Sequence, residues 1–185
     1  MILVIDLCQR DLSNSEFVEP IAAIVGDGAR VVRSTDLVAE DVGTASAVVI
    51  CGTALADDGY MDHIDRFDWL RRTRTPVLGI CAGMQLIALL HGGRVVERRE
   101  IGMTSIHPEG ADPLISGPMD VYSLHRYDLE DLDEFHVLAR SDECVQAIVH
   151  RERDLFGILF HPEVRRGGVV TRFLERFAPG AGPQR

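Results

Sequence analysis

What the chain lacks bounds it first. No apolar run approaches the roughly 20 residues that a bilayer-spanning helix needs, so no membrane partner is expected. Cysteine is scarce: the four, at positions 8, 51, 81 and 144, are scattered and form no Cys-x-x-Cys pair. That pattern fits reduced thiols and excludes a disulfide framework. No cluster of His, Cys and carboxylate residues has ligand spacing along the chain, so no metal is expected. Positive charge is in deficit, 19 Lys and Arg against 29 Asp and Glu, for a formal net charge of −10. Phosphate backbones need clustered Lys and Arg, so nucleic acid is not an expected partner. The one basic cluster, Arg71-Arg72-Thr73-Arg74, is read as closing a helix at its negative end. No phosphate-binding loop is present, and no cofactor is expected. The opening MILVIDL has neither a basic n-region nor a small-residue cleavage site, and it reads as a first strand. A cytoplasmic location is the expectation.

What is present is an alternation. At 185 residues the chain is long enough to bury one core, and a single domain over 1–177 is expected. The tail APGAGPQR, 178–185, reads as disordered. Short apolar runs (ILVID, ARVVRS, SAVVICG, VLGI) alternate with helical patterns at Glu16 to Val25, Phe67 to Thr73 and Ala82 to His91. Then the texture changes to closely spaced strands, MDVYSL, FHVLAR, VQAIVH and LFGILF, before a last helix from Val169 to Phe177. This predicts an α/β fold, a sandwich around a largely parallel, mixed sheet.

The segment TPVLGICAGMQLIALLHGG, 75–93, carries the strongest chemical signal. An apolar strand runs straight into a helix with Cys81 at the junction, and Gly79 and Gly83 stand two positions to either side. This is the nucleophile-elbow pattern with sulfur in place of oxygen. A thiol at a helix N-terminus sits at the positive end of the helix dipole, which favours thiolate. The Ala82 amide, unpaired within the helix, can point at an oxyanion. A second donor is expected from Gly52-Thr53, directly after the third strand. A glycine that merely ends a strand is the competing reading there. Free cysteines are most often small core residues, and that reading is kept for Cys8, Cys51 and Cys144.

His-Pro-Glu occurs twice. His161-Pro162-Glu163 follows the apolar run LFGILF, so His161 is expected at a strand end with Glu163 on the same side of an extended chain. There the carboxylate can orient the ring while the other nitrogen faces the thiol. His107-Pro108-Glu109 follows a shorter, more polar run and precedes GADPLISGP, and it is read as turn chemistry. His63, His91, His136 and His150 are read as surface or strand-end residues. His125, in VYSLHRYD, is left open as a pocket-lining residue.

GICAGMQ at 79–85 and FHPE at 160–163 resemble the paired motifs of the class I (triad) glutamine amidotransferases. The resemblance implies the flavodoxin-like three-layer sandwich of that family, with Cys81 as nucleophile, His161 as general acid and base, and Glu163 as its orienter. It implies Gly52 and Ala82 as the oxyanion donors, Gln85 as a contact to L-glutamine, and Ser123 and Leu124 at the substrate's amino-acid end, beside His125. It further implies a glutaminase that passes ammonia to a separate ATP-using synthetase or acceptor subunit. VYSLH, HVLARSDECVQAIVH and FGILFHPEV are most similar to the glutaminase of GMP synthase. The chain departs from that group with Cys51-Gly52-Thr53-Ala54 after the third strand and with Leu159 two before the histidine. The rival readings are a partner-independent hydrolase of γ-glutamyl compounds or peptides, and an inactive regulatory subunit.

Overall fold

The computed structural model of the chain describes residues 1–165 and 168–180. Nine strands build its sheet: β1 (Ile2–Asp6), β2 (Ala29–Arg33), β3 (Ala47–Ile50), β4 (Val77–Ile80), β5 (Arg94–Pro108), β6 (Met119–Glu130), β7 (Phe135–Arg140), β8 (Val145–His150) and β9 (Leu155–Ile158). Their order is β2-β1-β3-β4-β9-β8-β7-β5-β6. The first five in that order run parallel, and the remainder continue antiparallel.

Every residue of β1, β3, β4 and β9 is buried. Alternate residues of each strand enter one of two cores: Ile2, Val4, Ala47 and Val49 on one face, Leu3, Ile5, Val48 and Ile50 on the other. Covered on both faces, these strands have no solvent side, which is why they read as unbroken apolar runs. Helices α1 (Asn14–Phe17), α2 (Glu19–Val25) and α5 (Gly168–Phe177) supply Phe17, Ile21, Val25 and Phe173 to the first core. Helix α4 (Ala82–Leu90) and a 3₁₀ stretch, Met61–Arg71, supply Leu86, Phe67 and Leu70 to the second. The result is the three-layer α/β sandwich expected. Each such side chain fully buried contributes about 1.5–3 kcal/mol.

Four elements differ from the expectation. The helix predicted from Glu16 to Val25 is broken at Val18, because Pro20 has no N–H to give and is accommodated in the first turn of α2. The segment predicted helical from Phe67 is 3₁₀, starts at Met61 and is kinked at His63. The 15-residue β5 was not predicted at all. It and β6 form a two-stranded arm exposed at charged Arg94, Glu97, Arg98 and Arg99 and at apolar Ile101 and Met103 alike, so pairing replaces burial and no apolar alternation marks it. A further short helix, α3 (Ala39–Thr44), also went unpredicted. Of the tail, Ala178 packs on the core, while 181–185 lie outside the described residues. Among the described residues no helix is long and apolar enough to cross a membrane.

Candidate active site

Cys81 lies where β4 turns into α4, with φ 47° and ψ −102°. That left-handed backbone in a non-glycine residue stores strain of about 1–3 kcal/mol, the signature of an elbow held by its surroundings. The turn is possible because strand and helix backbones touch. A Cβ on Gly79 would lie 2.4 Å from the Gly83 carbonyl carbon, and one on Gly83 would lie 2.6 Å from the Ile50 oxygen. The Cys81 amide donates to Ile158 O at 2.8 Å, which ties the nucleophile to β9. Its Sγ lies 3.9 Å from the Leu124 carbonyl oxygen.

His161 stands just past β9, its amide donating to Tyr122 O at 2.8 Å. Its Nδ1 is 2.6 Å from Glu163 Oε1, with the two side chains 0% and 2% exposed. In such a dry site a charge-assisted hydrogen bond is strong. The route to it differs from the extended chain expected. Pro162 opens a 3₁₀ turn, Pro162–Arg165, and this turn, not strand periodicity, carries Glu163 back to the ring. Proline suits that place because its fixed φ is already turn-like. Phe17 packs edge-on against the imidazole, centroids 5.3 Å apart.

Burial by itself would push the His161 pKa down. The Cys81 charge and contact, with the Glu163 carboxylate, outweigh burial and raise it to about 10. Nε2 has no partner of standard hydrogen-bond geometry among the described residues, so the thiol edge of the ring remains available. Gly52 abuts both groups. A Cβ there would fall 2.7 Å from His161 Cε1 and 3.3 Å from Cys81 Cβ. The amides of Gly52 and Ala82 donate to no backbone carbonyl among the described residues. A buried thiol, an oriented imidazole and two free amides form the constellation for acyl transfer.

A family model described as "Glutamine amidotransferase class-I" matches residues 28–179. The chain belongs to the class I glutamine amidotransferases. Its relatives include a protein of Picrophilus torridus named as a glutamine-hydrolyzing subunit of GMP synthase, 29% identical over 75% of this chain and 78% of that one. The protein of the same name in Methanothermobacter thermautotrophicus is 36% identical over 60% of this chain and 63% of its own. In fold, a Thermoplasma acidophilum protein named for the same GMP synthase component matches with a TM-score of 0.80 at 24% identity, covering 95% of this chain and 90% of that one.

In this amidotransferase the remaining expected contacts lie on α4 and β6. Gln85 is buried, its Nε2 donating to Tyr127 O at 3.2 Å and its Oε1 accepting from the Tyr60 hydroxyl. Leu124 offers its carbonyl to Cys81, and Ser123 is fully buried with Oγ unpartnered among the described residues. His125 is buried too. Its Nε2 lies 3.2 Å from Glu100 Oε2, which also accepts from Gln146, and burial holds its pKa below the usual value despite that carboxylate. Glu100 is aimed inward by a register shift between Glu97 and Glu100 in β5.

Sequence reasoning missed Glu100, Tyr60, Tyr127, Asp58 and Arg126. The fold also gathers two groups that no spacing revealed, Glu100-His125-Cys144 and His91-Glu134-His150, whose side chains are within reach of a shared ion. In the second, His150 Nδ1 accepts from the Glu152 amide, which commits its Nε2 to carry the proton. His107, the other His-Pro-Glu histidine, is exposed and lies in β5, not in a turn; Glu109 pairs with Arg140 at 2.9 Å.

Proposed function

We propose that the protein hydrolyses L-glutamine to glutamate and ammonia through a thioester on Cys81, and delivers the ammonia to a separate ATP-using synthetase subunit that forms GMP. The cytoplasm is its proposed place of action. The arrangement of Cys81, His161 and Glu163 beside two free amides carries the reading. The Cys81 thiolate attacks the side-chain carbonyl, and the carbonyl electron pair moves onto an oxygen held by the Gly52 and Ala82 amides. His161 gives its proton to the departing nitrogen, and ammonia leaves a thioester. The neutral ring then takes a proton from water, whose oxygen attacks the thioester. Collapse of the second oxyanion releases glutamate and restores the thiolate–imidazolium pair. Glu163 keeps the Nδ1 proton in place and stabilises the charged ring throughout.

Similarity to the glutamine-hydrolyzing components of GMP synthase supports the choice of acceptor. The test is ammonia release from L-glutamine, by the protein alone and with its synthetase subunit, ATP and xanthylate. Glutamine-dependent GMP formation that Cys81→Ala abolishes is the expected result. Full activity without any partner supports the rival hydrolase. No ammonia under either condition sinks the enzyme reading.

A further inference from the structure

The pocket over Cys81 has a charged rim. Apart from Cys81 itself, Asp58 and Arg126 are the only side chains with a full charge among its described lining residues. Arg126 Nη1 lies 3.2 Å from Asp58 Oδ2, and the Tyr127 hydroxyl donates to the same oxygen at 3.3 Å. The Arg126 and Asp58 side chains are 38% and 35% exposed, so the pair is well solvated and contributes little to stability. It lies at the rim of a shallow, half-open pocket whose free volume is about 10 Å³, the space of about one water molecule. An occupant seated over Cys81 would meet both of these side chains at the rim. Gln85 is held in place by Tyr60 and the Tyr127 carbonyl, one bond at each end of its amide, which leaves one donor and one acceptor site free.

We propose that Asp58 and Arg126 form the clamp that selects an α-amino acid: Asp58 takes the α-ammonium group of glutamine and Arg126 its α-carboxylate. This inference rests on the glutaminase reading and adds the source of its substrate selectivity. A zwitterion carries one charge of each sign, as the closed pair does. Entry of glutamine exchanges one ion pair within the protein for two with the ligand and strands no charge. A planar guanidinium suits a carboxylate in particular. The uncharged amide then points to Cys81, whose thiolate makes the extra carboxylate of glutamate unwelcome. Arg126, 5.2 Å over the Tyr127 ring, has a defined resting place nearby.

The test compares Asp58→Asn and Arg126→Gln with the unaltered full-length chain, each measured together with the synthetase partner. Each variant should raise KM for L-glutamine about tenfold or more while kcat changes less than about threefold, the mark of lost substrate binding. For 5-amino-5-oxopentanoate, which lacks the α-amino group, Asp58→Asn should leave KM unchanged. A second readout is independent of the partner. Labelling of Cys81 by the glutamine-shaped 6-diazo-5-oxo-L-norleucine should slow in both variants, whereas alkylation by iodoacetamide should not. If the unaltered protein hydrolyses glutamine and labels, and both variants keep its KM and labelling rate, the clamp is overturned and the glutaminase reading stands. If the unaltered protein neither hydrolyses glutamine nor labels, both fall together.

Discussion

The two His-Pro-Glu tripeptides make a controlled experiment within one chain. At 161–163 the histidine and glutamate side chains are 0% and 2% exposed and bonded to each other across a 3₁₀ turn. At 107–109 the histidine is paired into a solvent-washed strand, and Glu109 turns away to Arg140, with both of those partners more than two-fifths exposed. The residues are identical, so the difference lies entirely in what surrounds them. Next to Cys81 and out of water the second copy becomes a charged, oriented base. In water the first copy is a strand end with a surface ion pair.

Substitution at the histidines should separate the copies most widely. His161→Asn should lower glutamine-dependent ammonia release by a factor of about 10⁴ or more, because nothing else there can move the proton. His107→Asn should leave kcat/KM for the same reaction unchanged. Comparable losses from both would show that the second copy has no special role. The carboxylates come next. Glu163→Gln, which keeps size but not charge, should slow turnover by about 10²–10³ and leave glutamine KM nearly unaltered. Glu109→Gln should lower stability by less than about 1 kcal/mol, as an exposed pair does, with no effect on rate. Steady-state kinetics and thermal melting read both.

The smallest effect is on protonation. Removing the thiol by Cys81→Ala leaves burial as the dominant influence, so the His161 pKa should fall from about 10. NMR of the His161 ring protons follows the change. The sign for stability follows from linkage. The folded value lies above the ordinary 6.5, so the charged ring contributes stability that is complete below 6.5 and lost as pH rises through about 10. That high-pH loss should shrink in Cys81→Ala, measured as the denaturation midpoint against pH.

Much of the frame was legible because it is local. ILVID, AVVI, VLGI and LFGI are buried on both faces, and a run with so little polarity can hardly be anything but a central strand. Gly79-x-Cys81-x-Gly83 was legible because the close approach of strand and helix leaves no room for a Cβ. By contrast β5 left no pattern, since a two-stranded arm paired along its length needs little burial. Asp58 and Glu100 were hidden for another reason: each meets its site partner only across long chain separations, through Arg126 and His125.

By itself, then, the sequence determined the parallel half of the sheet, the elbow at Cys81 and the pairing of that cysteine with a His-Pro-Glu motif. Tertiary structure decided how Glu163 reaches the ring, by a turn begun at Pro162, and which charged side chains rim the pocket. The physical reason is range. Steric exclusion and periodic burial act between near neighbours and leave their mark in the order of residues. The charge on His161 and the Asp58–Arg126 contact depend on groups that only the completed fold brings together.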